Sequence, residues 1–262
     1  MRTIDEFNFP VQLLKKLYIN KIVVGKKSQD LSRILKKHPK LLVAVSHGPV
    51  VGALSGFASI VEQFQKNSGY NRKPFGIAWR GFYQIPGTKQ LFSYMTQVKS
   101  GLNFDESINL LTESDFTDCF MMPEGELCLF GNGLDIQPFL SPRFIELAIK
   151  ANIPVLVAAQ KGAENWAWPV NVNEKYHSLF NWLPKNMKNG LKQSSLLNIP
   201  KPLYKKVNSL YVSFYLYQPT ISEWDLSDDK EERKEQLWNE ANRVRAKMQK
   251  MVNELVAESD DK

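Results

Sequence analysis

The chain has 262 residues, 43% of them hydrophobic and 23% charged, a composition typical of folded globular proteins and unlike that of collagen-like or disordered chains. No apolar run reaches the roughly 18 to 20 residues that a membrane-spanning helix needs, and the N-terminus lacks the features of a secretory signal. The two cysteines and three histidines show no zinc-site spacing, so the sequence predicts neither a disulfide framework nor a metal site.

The formal net charge of +7 is concentrated in two blocks. Residues 1–40 carry ten Lys and Arg against three acids, and residues 185–206 contain six lysines and no acid. Bulky apolar residues are interleaved with both blocks, which suits the surface of an anionic membrane. Lysine-rich faces that only cover a core are the alternative, and nucleic acid is disfavoured because no base-reading motif is present.

The charge pattern therefore predicts a basic amphipathic N-terminal segment over residues 1–40 and a cytoplasmic protein, peripheral on the inner face of a membrane. The expected contacts with anionic lipid come from Lys15, Lys16, Lys26 and Lys27. Such binding should weaken as salt rises, because surface charges are screened within about 8 to 10 Å at ordinary ionic strength.

Four short apolar runs predict the strands of one sheet. In chain order they are 41–46 (LLVAVS), 73–79 (KPFGIAW), 118–122 (DCFMM) and 153–159 (IPVLVAA). Helical patterns lie between them, near 50–65, near 91–98 and after Ser141-Pro142, where a cap residue precedes a proline. Strand, helix and strand at this spacing form a βαβ unit. The expected fold class is α/β, with a mostly parallel central sheet flanked by helices.

The last third of the chain has a different pattern. Residues 160–205 are too irregular for assigned elements and are expected to lie over one end of the sheet, before an aromatic strand at 209–217. From Ser227 an amphipathic C-terminal helix is predicted, with apolar positions at Leu237, Ala241, Val244, Met248, Met251 and Leu255. The α/β domain is predicted to span 41–257, and residues 258–262 to form a disordered tail.

Candidates for chemistry lie where two of the predicted strands end, since ligands of open α/β sheets collect beyond the carboxyl ends of the strands. His47 follows the first strand and could act as a general base, or could simply be a buried histidine bonded to the backbone. Glu124 and Glu126 follow the third strand and could bind a hydroxyl-rich substrate or lie in solvent.

Two common classes of enzyme are disfavoured by missing motifs. The chain contains no G-x-S-x-G, which argues against an α/β-hydrolase. It also contains neither of the glycine-rich phosphate loops, so nucleotide-dependent chemistry is not expected.

The order of these segments resembles the glycerolipid acyltransferases of the lysophospholipid acyltransferase superfamily. LLVAVSHGPVVG resembles the first block of that family, RGFYQIPGTKQLFSYMTQVKSG (80–101) the second, CFMMPEGEL the third and IPVLVAA the fourth. The resemblance covers about residues 35 to 255, and it looks closest to the diacylglycerol-acyltransferase-like branch. It implies an acyltransferase-like α/β fold.

The resemblance also implies a mechanism. His47 would deprotonate the hydroxyl of a lipid acceptor, which attacks the thioester of acyl-CoA or acyl carrier protein; this donor is a co-substrate, and no bound cofactor is implied. The family's orienting Asp, five positions after the histidine, is replaced here by Gly52, and Glu124 is the first candidate to take its place. The implied substrate contacts come from three places in the chain: Gly48; Arg80, Pro86 and Gly87; and Pro123, Glu124, Gly125 and Glu126.

The acceptor implied by these residues is neutral. Members of the family that use glycerol phosphate carry arginines that pair with the phosphate, whereas the matching stretches here read VKSGLNF and PEGEL, with Lys99 as their only cation. An acylglycerol or a long-chain alcohol therefore fits better than a lysophosphatidate. Two functions stay open at this point: an acyltransferase, and a non-catalytic acyl- or lipid-binding relative that has lost the His-Asp pair.

Overall fold

The computed structural model describes residues 1–49, 52–180, 184–201 and 205–260. These form a six-stranded sheet flanked by helices, and a separate two-stranded ribbon. The strands are β1 (Ile19–Val24), β2 (Leu41–Val45), β3 (Pro74–Gly76), β4 (Asp118–Met121), β5 (Val155–Lys161), β6 (Ala167–Asn171), β7 (Leu196–Pro200) and β8 (Val207–Tyr217). The α-helices are α1 (Asn8–Tyr18), α2 (Leu31–Lys37), α3 (Gly52–Lys66), α4 (Thr88–Thr96), α5 (Phe104–Thr112), α6 (Arg143–Lys150), α7 (Lys185–Ser194) and α8 (Lys230–Asp260). Short 3-10 helices lie at Ile4–Phe7, Arg80–Tyr83, Gly125–Leu129, Ala163–Trp166, Glu174–Phe180 and Glu223–Asp225.

The large sheet has the strand order β1-β8-β5-β2-β4-β3. Its neighbouring strands are parallel except for β5 and β8, which are antiparallel. The four predicted strands and the aromatic strand all lie in this sheet, so the predicted mostly parallel α/β fold is confirmed. β3 is shorter than predicted, and β2 lies between β4 and β5, so the chain from β4 to β5 crosses over it.

The core has two halves, one on each face of the sheet. On one face, Leu41, Val43 and Val45 pack with α1, α2 and α3. On the other face, Leu42 and Ala44 pack with α5, α6 and α8. Because β2 is buried on both faces, its sequence is a continuous apolar run with no alternation.

The first forty residues are part of this domain and do not form a separate segment ahead of it. β1 pairs in parallel with β8, and α1 packs on α3 through buried residues such as Val11. The predicted boundary at residue 40 therefore has no counterpart in the fold. β1 was not predicted because INKIVV is an edge strand. Its polar residues are compatible with the basic amphipathic segment that was predicted over residues 1–40.

The C-terminal helix agrees with its predicted apolar stripe, because all six stripe positions are buried. α8 extends to Asp260, however, so the predicted disordered tail is wrong for residues 258–260, and residues 261–262 lie outside the described chain. Tertiary contacts hold this last turn: Glu258 accepts a 2.8 Å hydrogen bond from the Lys26 N–H, and Lys161 Nζ donates to Ser259 Oγ at 2.8 Å.

The segment without assigned elements, 160–205, contains structure that the sequence did not reveal. β6 and β7 form an antiparallel ribbon, and α7 lies between them in the chain. Residues 181–183 and 202–204, both within this stretch, lie outside the described residues, and the second range belongs to the basic block. Over the described ranges of the chain, no helix is long and apolar enough to cross a membrane.

Candidate active site

His47 and Glu124 lie side by side at one edge of the sheet. β2 and β4 are parallel neighbours with Ala44 opposite Met121, and three further residues along each strand lead to His47 and Glu124. The register of the two strands therefore brings together the histidine and the Pro-Glu-Gly segment, which the sequence proposed from separate motifs.

Glu124 fixes the backbone on which His47 lies. Its Oε1 accepts a 2.8 Å hydrogen bond from the His47 N–H, and its Oε2 accepts another of 2.8 Å from the Gln137 N–H. The carboxyl group is buried, and burial raises the pKa of Glu124 to about 7, although both N–H groups and the charge of Arg245 act to lower it. Glu124 was the first candidate to replace the missing Asp, but these contacts reach the backbone of His47 and not its ring.

The ring of His47 is oriented by a backbone carbonyl. Nδ1 lies 2.9 Å from the carbonyl oxygen of Gly48, and since a carbonyl only accepts, Nδ1 must carry the proton in this contact. Gly48 has a φ of +63°, the left-handed conformation that glycine adopts without a steric penalty. Nε2 is then left with a lone pair. Burial lowers the pKa of His47, which favours this neutral, proton-accepting form.

Gly52, at the place of the family's Asp, has no room for a side chain. A Cβ atom built on Gly52 would lie 2.2 Å from the carbonyl oxygen of His47. The backbone itself therefore comes too close to the histidine for any larger residue. Val50 and Val51, also part of the predicted SHGPVVG motif, lie outside the described residues.

The third strand of the site contributes a residue that sequence reasoning missed. Gln160 lies in β5, next to β2, and its side-chain Nε2 is 3.2 Å from the His47 carbonyl oxygen and 3.0 Å from that of Gly52. The available signal was a polar residue at the carboxyl end of an otherwise apolar strand run, the same signal that identified His47.

The rest of the Pro-Glu-Gly segment surrounds Glu124. Pro123 is buried, and Gly125, with a φ of +53°, begins a 3-10 helix. A Cβ atom on Gly125 would lie 2.6 Å from Leu140 Cδ1, so a close approach also favours glycine here. Glu126 is half-buried and lies in this 3-10 helix, for which Glu124 is the N-cap residue.

The predicted contacts of the second block lie elsewhere. Arg80, Pro86 and Gly87 are exposed, and in the described chain no hydrogen bond links them to His47 or Glu124. The turn is stabilised locally, because the Gly87 N–H donates to Gln90 Oε1 at 3.0 Å. The structure thus unites the first, third and fourth blocks and leaves the predicted contact residues of the second at the surface.

A small cavity, lined by both polar and apolar side chains, adjoins Glu124. It has a volume of about 10 Å³ and is lined in part by Ser46, Glu124, Gln137 and Gln160. That volume holds about one water molecule and no acyl chain. Among the described residues, no cluster of three or more His, Cys, Asp or Glu could hold a metal ion.

Comparisons with known proteins add little to this geometry. No model of a known protein family matches the chain, and no curated protein matches it. Among solved structures, the chain is similar to the 1-acyl-sn-glycerophosphate (LPA) acyltransferase PlsC from Thermotoga maritima, with a TM-score of 0.48 and 13% sequence identity over 94% of this chain and 78% of that one. A likeness at this level carries no argument about activity or site residues.

Proposed function

We propose that this protein is an acyltransferase that moves an acyl chain from acyl-CoA or acyl carrier protein to a lipid hydroxyl, with His47 as the general base. One observation carries the proposal: the Nδ1 contact with Gly48 leaves Nε2 as a proton acceptor at the carboxyl edge of a parallel sheet. The ordered resemblance of four segments to the glycerolipid acyltransferases supports the same reaction.

The reaction needs one base and one returned proton. His47 Nε2 takes the proton of the acceptor hydroxyl while the oxygen attacks the thioester carbonyl, so that a C–O bond forms. The C–S bond then breaks, and the imidazolium returns the proton to the departing thiolate. The lowered pKa of His47 keeps its ring neutral and ready to accept a proton near neutral pH.

The missing carboxylate predicts slower catalysis than in a His-Asp enzyme. In the Ser-His-Asp triad, replacing the Asp by Asn costs about 10⁴ in turnover because the histidine adopts the wrong tautomer. Here the Gly48 carbonyl holds the useful tautomer, but it brings no full negative charge to stabilise the imidazolium. The loss relative to a His-Asp enzyme should therefore be smaller than in that example.

A neutral acceptor fits the charges around His47. Glu124 lies against the His47 backbone, and Glu126 follows two residues later. Arg245, whose charge acts on Glu124, already donates hydrogen bonds of 3.1 and 2.9 Å to the Ile136 carbonyl oxygen. In the described part of the chain no Lys or Arg side chain makes a hydrogen bond or ion pair with His47 or Glu124, where it could hold a phosphate, so we propose an acylglycerol or a long-chain alcohol as the acceptor.

The second candidate is a non-catalytic acyl- or lipid-binding relative. It is favoured by the ring contact of His47, which goes to a carbonyl and not to a carboxylate. On this hypothesis the fold and the Pro-Glu-Gly segment serve to bind an acyl chain or a lipid, and no acyl group is transferred.

The deciding experiment is turnover by a histidine variant. The protein is incubated with a long-chain acyl-CoA and diacylglycerol in vesicles, and ester formation and thiol release are measured. His47→Ala should lower turnover by about 10²- to 10⁴-fold, the usual contribution of a general base. His177→Ala, on the 3-10 helix Glu174–Phe180, is the matched control and should keep full turnover. Unchanged turnover in His47→Ala overturns the mechanism, and a wild type inactive with acyl-CoA and with acyl carrier protein favours the binding relative.

We also propose that the protein works at the cytoplasmic, inner face of a membrane, which α1 contacts directly. Phe9, Leu13 and Leu17 are spaced by four residues and are 79%, 46% and 47% exposed, so they form an apolar stripe on the outer face of α1. Val11, on the opposite face, is buried. A helix with an exposed apolar stripe and lysines beside it is typical of an interfacial helix.

The turn that carries Pro86 fits the same surface. Trp79, Ile85 and Leu91 are exposed around it. It leads into α4, where the Tyr94 ring lies 5.5 Å from the ring of Phe7, just ahead of α1. Two neighbouring elements thus present apolar side chains to the outside.

Of the four lysines predicted to meet anionic lipid, only Lys16 is kept in this proposal. Lys15 pairs with the buried Glu62, and Lys27 Nζ lies 3.4 Å from Glu254 Oε1. Lys26 and Lys27 also follow the end of β1 that is remote from α1. We therefore assign the electrostatic contact to Lys16, beside the stripe.

Vesicle sedimentation tests this surface. Replacing Phe9, Leu13 and Leu17 by Ser should abolish binding to vesicles of phosphatidylcholine and phosphatidylserine. Trp224→Ser is the control, because Trp224 is 95% exposed but lies in the loop ahead of α8. Unchanged binding by the triple variant would exclude α1 as the contact.

A further inference from the structure

Gln160 makes several hydrogen bonds to the loop after β2, which carries His47. It is buried in β5, and the register of β5 with β2 places it beside His47, because Ala158 lies opposite Val45. Its backbone N–H donates to Ser46 Oγ at 2.9 Å. Its side-chain Nε2 lies 2.9 Å from the Ser46 carbonyl oxygen, 3.2 Å from that of His47 and 3.0 Å from that of Gly52.

The orientation of this amide is decided by its neighbours. Three carbonyl oxygens surround Nε2, and a carbonyl oxygen in its place would face only acceptors. Oε1 lies 2.7 Å from the hydroxyl of Ser55, which can donate to it. The NH₂ group therefore points at the loop that carries His47, and Ser55 holds the other end of the amide.

Small residues on α3 make this contact possible. Gly52 and Gly56 lie one helical turn apart on α3, and a Cβ atom on Gly56 would lie 3.1 Å from Gln160 Nε2. A side chain at position 56 would press on β5, and one at position 52 would meet the His47 carbonyl oxygen. The small residues of α3 thus let this helix lie close enough to β5 for the Gln160 amide to reach the loop.

We propose that Gln160 is a positioning residue for His47 that acts on the backbone of the loop, while the Gly48 carbonyl contacts the ring. The amide ties the carbonyl of His47 to that of Gly52 and so closes the loop between them. Glu124 holds the N–H of His47 from the other neighbouring strand. With both sides of its backbone held, the His47 ring and the Gly48 carbonyl stay within hydrogen-bonding distance of each other.

This role rests on the proposed function only where it concerns turnover; the state of the ring is a separate observable. Nitrogen-15 NMR of the imidazole groups reports which ring nitrogen carries the proton in the substrate-free protein. The chain has three histidines, so the His47 signals are assigned by their loss in His47→Ala. The wild type should show a single tautomer with the proton on Nδ1.

Gln160→Met removes the amide and nearly conserves the volume of the side chain. We expect a mixture of the two tautomers at His47, and a fall in kcat of about 10²-fold at nearly constant KM, as for other small misplacements of a catalytic group. Ser55→Ala is the milder variant, should Gln160→Met fail to fold, and it should shift the tautomer mixture in the same direction. Asn198→Leu is the control, because it removes a buried amide bond of 3.1 Å to Gly131 in the ribbon, away from His47.

The outcomes separate the two proposals. A folded Gln160→Met protein with the wild-type tautomer overturns the positioning role, whatever the turnover. A tautomer mixture in Gln160→Met but not in Asn198→Leu supports it, even if no acyl transfer is found. Loss of the wild-type tautomer in the control as well would show that any destabilised core disturbs the ring, and this would also overturn the specific role of Gln160.

Discussion

The loop after β2 and the turn at 84–87 were both predicted to contact substrate, but they lie in different surroundings in the structure. The loop lies between β4 and β5, and Glu124 and Gln160 each donate or accept a hydrogen bond at its backbone. The turn lies at the surface, with Pro86 exposed and its hydrogen bonds made locally. Both segments carry a Gly-Pro or Pro-Gly pair, yet only one is enclosed by neighbouring strands.

The difference shows what a local motif leaves undetermined. A glycine-proline pair marks a change of direction in the chain but does not reveal what lies around it. For the loop, sheet order supplies partners on both sides of His47. For the turn, Trp79 and Ile85 are exposed, which fits the membrane contact proposed above. The loop is therefore the candidate for chemistry and the turn a candidate for membrane contact.

The largest effect on stability is expected at Gly52. Gly52→Asp places a side chain where Cβ alone would lie 2.2 Å from the His47 carbonyl oxygen, so it should destabilise the fold by about 1 to 3 kcal/mol or more, as overpacking does. The free energy of unfolding in urea measures this loss.

Gly52→Ala is the matched control for the charge at position 52. Because the clash begins at Cβ, the Ala variant should also be destabilised and less active. The opposite outcome is a Gly52→Asp variant that is as stable as the wild type and turns over faster. That result would mean that the restored Asp orients the His47 ring, and that the loop is less tightly enclosed than described here.

The next largest effect is expected at Glu124. Gln offers one acceptor oxygen where two N–H groups, of His47 and Gln137, require acceptors, so Glu124→Gln should leave one buried donor unsatisfied at a cost of about 1 to 3 kcal/mol. Glu126→Gln, on a half-buried residue, is the control and should leave the free energy of unfolding nearly unchanged.

The raised pKa of Glu124 predicts how stability changes with pH. Between the ordinary value of 4.5 and about 7, the folded protein retains a proton that the unfolded chain has released. The contribution of this group to stability is therefore full below about pH 4.5 and is lost as the pH rises toward 7. Urea unfolding at several pH values should show this slope in the wild type and not in Glu124→Gln. Equal slopes would mean that folding does not raise the pKa of Glu124.

Substitutions in the turn should separate membrane contact from site geometry. Replacing Trp79 and Ile85 by Ser should weaken binding to anionic vesicles and leave the NMR tautomer of His47 unchanged. Replacing Gln160 by Met should do the reverse. A change in the His47 tautomer on altering the turn would show that the two regions are coupled.

The smallest effect is expected for Pro86→Ala. Surface substitutions away from caps and buried groups usually change stability by less than about 0.5 kcal/mol, and Pro86 is exposed. Thermal unfolding should detect little change. A large loss of turnover with intact vesicle binding would instead support the predicted contact of this turn with substrate.

The sequence by itself determined the elements whose signal is local. A continuous apolar run specified β2 because that strand is buried on both faces, and the steps of four and three specified α8 because one stripe of that helix faces the core. His47 and Glu124 could be proposed because each ends such a run. Only the tertiary structure placed them together, since the strand order that makes β2 and β4 neighbours depends on contacts between distant segments.

The tertiary structure alone also decided how His47 is held. Gln160 is a single polar residue at the end of a strand, and nothing in its local sequence shows that its amide reaches the carbonyls of a loop more than a hundred residues earlier. Likewise, the sequence showed that position 52 lacks the Asp, but not that the backbone there leaves no room for it. Hydrogen bonds and close approaches of this kind depend on distances in space, which periodicity and composition along the chain do not determine.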